Sequence, residues 1–129
     1  MNEILTQEKS IYLQIAEMIE TDILRGILLE EERVPSTNEL AKQYAINPAT
    51  AAKGINILVE EGVLYKKRGI GMFVAEGAKE NILGRRRSAF YENYIKTLLK
   101  EARSIGLDRE QVIAMIRGQE ETAEPEKQE

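Results

Sequence analysis

The chain has 129 residues, 43% of them hydrophobic and 5% aromatic, with no cysteine and no histidine. This leaves room for one compact domain with an aliphatic core plus a modest appendage, and it excludes disulfides, thiolate nucleophiles, imidazole bases and Cys/His zinc sites. The net charge is −4, yet residues 33–71 carry six cations against three anions and residues 72–109 carry eight against five. Both ends are acidic, so a local basic face survives the acidic total.

No stretch is apolar and long enough to span a bilayer, and the start "MNEILTQEKS" lacks the basic, then apolar pattern of a secretion signal. A cytoplasmic location is therefore expected. "SIYLQIAEMIETDILRG" places Ile11, Ile15, Ile19 and Ile23 at helical spacing, with Tyr12, Met18 and Leu24 beside them and Gly26 as a stop. "ILLEEER" reads as a loop, its Glu30, Glu31 and Glu32 a solvated turn without the converging partners a metal site needs.

Ser36 followed by Glu39 is a capping box, and Leu40, Ala41 and Tyr44 form the inner face of a short helix. Asn47 and Pro48 open the next helix, the first as N-cap and the second where no amide donor is required. Ala51, Ile55 and Leu58 face inward there, with Gly54 and Val59 alongside, and Gly62 ends it. A gap near Ala45 to Asn47 forces two such helices to cross steeply, as in a helix-turn-helix. "VLYKK" and "GMFV" then read as a hairpin around a glycine-bearing tip.

The remainder is helical. Phe90, Tyr94, Leu98 and Ala102 lie four apart, widened by Ile95 and Leu99, and Gly84 weakens the case for an unbroken helix. After Gly106, Asp108 and Gln111 form a second capping signature before Val112, Ile113 and Ile116. The acidic end lacks periodicity. The fold class is mainly α with a small β-hairpin, a winged helix-turn-helix followed by a helical dimerisation region. The expected division is 1–76 for the DNA-binding domain, 77–117 for dimerisation and 118–129 for a disordered acidic tail.

The second helix of such a pair lies in the DNA major groove, N-terminal residues toward base edges. Its outward residues are Ala49, Thr50, Ala52, Lys53 and Asn56. Lys53 can donate to guanine or phosphate, Thr50 to phosphate, and the alanines offer methyl contacts. With so few hydrogen-bonding readers, shape readout is expected to contribute. Lys66, Lys67 and Arg68 crowd the hairpin tip beside Gly69 and Gly71, an arrangement rewarded by phosphates or a narrow minor groove. Arg85, Arg86 and Arg87 can reach flanking phosphate or form a solvated side of the long helix, the latter preferred. "GIGMF" is too short for a dinucleotide loop, and the tyrosines at positions 12, 91 and 94 lie on packing stripes. No enzyme chemistry, metal site or cofactor is called for.

"IYLQIAEMI", "VPSTNELA", "NPATAAKGINILVEEGVLY" and "KKRGIGMFV" together resemble the winged-helix domain of the GntR family of bacterial transcription regulators, over about residues 10–75. The short helical remainder, including "EARSIGLDREQVIAMI", resembles the YtrA-like subfamily, in which two helices build a dimer. The resemblance implies DNA contacts at Ser36, Asn38, Asn47, Ala49, Thr50, Ala52, Lys53, Arg68 and Gly69, joined by Lys67 from the charged tip. The apolar stripe, which a domain this small has little else to cover, points to a homodimer held through Phe90, Tyr94, Leu98, Ala102, Val112 and Ile116, expected to bind a near-palindromic double-stranded operator. Regulation of transporter genes, commonly by repression, follows from the subfamily.

This chain departs from the family at Asn38, where arginine is usual, at the small Ala52, and at Gly54, which should loosen the recognition helix. A small-molecule effector site between dimer halves stays open, since two helices alone do not enclose a pocket. The alternative function is a winged-helix protein-interaction module with weak or no specific DNA binding, motivated by the acidic total.

Overall fold

The computed structural model of the chain describes Leu5 and residues 10–122, with side chains as far as Gly118. Two compact units divide between Arg86 and Arg87. The first holds α1 (Ile11–Leu24), α2 (Thr37–Tyr44), α3 (Pro48–Glu60), β1 (Leu64–Lys67), β2 (Gly71–Val74) and most of α4 (Ala78–Phe90). Its core draws one aliphatic stripe from every element: Ile15, Ile19 and Ile23 of α1, Leu40 of α2, Ala51, Ile55 and Leu58 of α3, and Val63, Leu64 and Val74 around the hairpin. These stripes follow the three-to-four-residue spacing read in the sequence.

Local chemistry explains where the helices start and stop. The capping box is formed: Ser36 Oγ accepts the Glu39 amide at 3.0 Å while Glu39 Oε1 accepts the Ser36 amide at 2.7 Å. Asn47 Oδ1 accepts the Ala49 amide at 2.7 Å, with Pro48 at the first helical position. Between them Ala45 adopts the left-handed conformation (φ 54°, ψ 46°), an unusual choice for a residue with a Cβ. The Ile46 amide then returns to the Ala41 carbonyl at 3.0 Å, closing the turn.

β1 and β2 pair antiparallel, Leu64 opposite Val74 and Lys67 opposite Gly71. Residues 32–34, of which 32 and 33 were expected to be plain loop, pair with β2 as a third extended segment, entered through Glu31 in the left-handed conformation (φ 70°). The Glu31 and Val34 amides donate to the Val74 and Met72 carbonyls at 2.7 and 2.9 Å, and the Val74 amide donates to the Glu32 carbonyl at 2.9 Å. Pro35 biases Val34 toward extended backbone, and Val34 is fully buried.

The first unit continues past the expected boundary at residue 76. Ala78 and Ile82 of α4 are fully buried in its core, and the Asn81 side chain donates to the Glu61 carbonyl at 2.9 Å. Helix α4 also passes uninterrupted through Gly84.

In the second unit a single π-helical turn (Tyr91–Ile95) joins the end of α4 to α5 (Lys96–Ser104), and Phe90, Ile95 and Lys96 all keep right-handed helical dihedrals. Residues spaced four apart overshoot a 3.6-residue turn, and one wider turn brings such a row back into line. The Phe90 and Tyr94 rings lie 5.5 Å apart across it. After Gly106, Asp108 and Gln111 exchange their capping bonds, both 2.8 Å, at the head of α6 (Arg109–Thr122). The helix thus extends through residues 118–122, which were expected to be tail. Gln119, Glu120 and Glu121 are good helix formers that lengthen it. The rest of the expected tail, 123–129, lies outside the described residues.

Candidate nucleic-acid interface

The proposed contact residues all fall in the first unit, at the starts of α2 and α3 and on the hairpin. Asn38 is exposed in the first turn of α2. Ser36 and Asn47 each spend an acceptor on their own helix caps, bonds that do not use the Ser36 hydroxyl proton or the Asn47 side-chain amide protons. Cap bonding also holds the Glu39 carboxyl below the usual carboxylate range, through the Ser36 backbone and then side-chain bonds. On α3, Ala49 and Lys53 are exposed, Thr50 and Ala52 half-buried.

Lys53 does not wave freely. Its Nζ lies 4.1 Å from the centroid of the Tyr12 ring on α1, a cation–π contact that fixes a long side chain near the head of α3. A long side chain restrained in this way has less conformational entropy to lose in any contact it makes. The hairpin repeats the device: Lys67 Nζ sits 4.3 Å over Phe73, whose ring is 6.1 Å from Tyr65. Tyr65 in turn donates its hydroxyl to Glu31, and this bond raises the phenol above the usual tyrosine range. Lys67 therefore lies along the aromatic face of the sheet. Arg68 and Gly69 occupy the three-residue loop, where Gly69 (φ 76°) makes the turn.

Comparison with known proteins decides the assignment. Residues 11–74 match the family described as bacterial regulatory proteins, gntR family. The transcriptional repressor YtrA of Bacillus subtilis is 30% identical over 107 residues, 83% of this chain and 82% of the relative. The chain belongs to the GntR family. Its members are DNA-binding transcription regulators and not enzymes. A GntR-family regulator from Bacteroides thetaiotaomicron has a closely similar structure (36% identity, TM-score 0.68, 84% of this chain and 94% of that one). The DNA-binding domain of AraR in complex with operator ORX1 superposes on 57% of this chain and 95% of its own length (37% identity, TM-score 0.51).

In this GntR-family protein Gly54 has a packing role that the sequence did not show. A Cβ there would lie 2.6 Å from the Tyr12 carbonyl oxygen and 3.1 Å from Ile15 Cβ, so glycine is what lets α3 approach α1 closely. Arg87 is exposed together with Arg85 and Arg86, as expected of a solvated helix face, but Arg85 and Arg86 are also held in ion pairs. They pair with the buried Glu20 at 3.0 and 3.2 Å, and Arg85 also reaches Glu61 at 3.3 Å. A buried carboxylate requires such partners.

The residues read as a dimerisation stripe separate in the second unit. Phe90, Tyr94, Leu98 and Ile116 are exposed, whereas Ala102 is buried and Val112 half-buried against their own unit. Leu98, Ala102, Ile105, Leu107, Val112, Met115 and Ile116 line an apolar groove of about 490 Å³. Among the described residues no helix is long and apolar enough to cross a membrane, and no group of His, Cys, Asp or Glu side chains could hold a metal ion.

Sequence reading missed Arg33, which links the hairpin tip to α2, and the roles of Tyr12 and Tyr65. The signal for Tyr12 was its register on the polar edge of the α1 stripe. Arg33 left none, because its partners lie up to 37 residues away.

Proposed function

We propose that this protein is a homodimeric, cytoplasmic repressor of transporter-type genes that binds a near-palindromic operator. Each copy would present α3 to one half-site, with Ser36, Asn38 and Asn47 on flanking phosphate, Lys53 toward a base edge or phosphate, and Lys67, Arg68 and Gly69 along the adjacent groove. The observation that carries the dimer is the apolar groove of the second unit, with Leu98, Ile105, Met115 and Ile116 each more than 40% exposed. A contiguous apolar surface of that kind marks an association site. A second copy is the occupant that a two-fold operator requires. YtrA, similar along most of both chains, is itself a repressor.

Light scattering at micromolar concentration tests this reading. A dimer that Leu98→Asp or Ile116→Asp converts to a folded monomer is expected, together with loss of operator binding. A wild-type monomer would contradict it.

A further inference from the structure

We propose that Arg33 is the positioning residue for the wing, a latch that ties the hairpin tip to the first turn of α2 so that tip and helix-turn-helix meet DNA as one surface. The proposal rests on the reading that the wing touches DNA. Arg33 lies in the extended segment paired with β2, directly opposite Phe73. Its Nε–H donates to the Ile70 carbonyl in the tip loop at 3.3 Å. Its guanidinium extends toward Glu39 of α2, 4.0 Å away.

That exposed ion pair contributes little by itself. The stronger evidence is the shape of the strand beneath the side chain. Gly71 has φ +146°, and a Cβ built there would stand 2.8 Å from Arg33 Nε and 3.6 Å from its Cδ and Cζ. The hairpin therefore leaves a notch at the position the guanidinium occupies. A planar guanidinium can bond the tip carbonyl with Nε and face Glu39 with a terminal nitrogen, whereas an ammonium has a single donor centre.

The test uses the full chain and a duplex selected by the wild type from a randomised pool. Affinity is measured for Arg33→Ala, Arg33→Lys, Arg68→Ala and the Arg33→Ala/Arg68→Ala pair. Amide exchange at Arg68–Ile70 is measured in the DNA-free proteins. The 31–34 pairing is main chain, so the fold is kept, and matched melting curves check this. Arg33→Ala should weaken binding roughly tenfold, yet by less than about twofold once Arg68 is gone, because it acts through the tip. Arg33→Lys should fail to restore affinity, and both Arg33 variants should quicken exchange at the tip.

Wild-type affinity in Arg33→Lys would reduce Arg33 to a charge and overturn the latch. So would an equal cost with and without Arg68, or unchanged tip exchange. Faster exchange at undiminished affinity would overturn instead the wing's part in DNA binding.

Discussion

A single missing methyl group sets how closely α3 approaches α1. Replacing Gly54 with alanine gains helix propensity, about 1 kcal/mol. It also drives a Cβ against the Tyr12 carbonyl, a backbone atom that cannot rotate away. Overpacking of this kind costs about 1–3 kcal/mol, so Gly54→Ala should lower stability in urea unfolding despite its better propensity. The Ser36 cap gives a second residue-scale prediction. Glu39 has a depressed pKa in the folded state, so its contribution is present above its unfolded pKa and is lost as pH falls through the folded value. Ser36→Ala removes the side-chain cause of that depression and leaves the larger one, the bond from the backbone amide of residue 36. An NMR titration should show the Glu39 carboxyl moving only part of the way up toward its ordinary value, with a reduced acid-range stability dependence.

At the scale of elements, the first unit is closed by charge as well as by aliphatic packing. Glu20 on α1 takes both Arg85 and Arg86 of α4, and Arg85 also reaches Glu61 at the end of α3. Glu20→Ala leaves two guanidiniums without their shared acceptor and should destabilise the first unit by about 1–3 kcal/mol in thermal unfolding. Glu20→Gln should cost less, because an amide oxygen still accepts one bond.

These contacts mark the limit of what the sequence made legible. Ser36 with Glu39, Asn47 with Pro48, and Asp108 with Gln111 were readable because each cap is written within four residues. The third extended segment was not, since "EERV" has no alternating pattern and its partners lie about forty residues on. The same distance hid the Arg85 and Arg86 pairs and the linking role of Arg33. Gly54 was visible as a glycine, but its purpose lies on another helix.

On the scale of the whole molecule, the distribution of charge and of exposed apolar surface matters more than the totals. The net charge is −4, yet the residues proposed to meet DNA lie in the basic stretch between positions 33 and 71. Local cations that displace phosphate counterions give an affinity that falls linearly with log salt, whatever the overall charge. The exposed apolar side chains Phe90, Tyr94, Leu98 and Ile116 belong to the other unit, outside that basic stretch. Lys53→Ala and Arg68→Ala together should therefore weaken DNA binding and flatten its salt dependence, while the oligomeric state and melting curve stay unchanged.

If α3 and the wing read DNA as a pair of symmetry-related half-sites, selection from a randomised duplex pool, followed by a salt titration on the winning sequence, will show it. A two-fold-symmetric winner whose affinity falls steeply as salt rises is expected. Weak binding without sequence preference and with a shallow salt slope would contradict that reading.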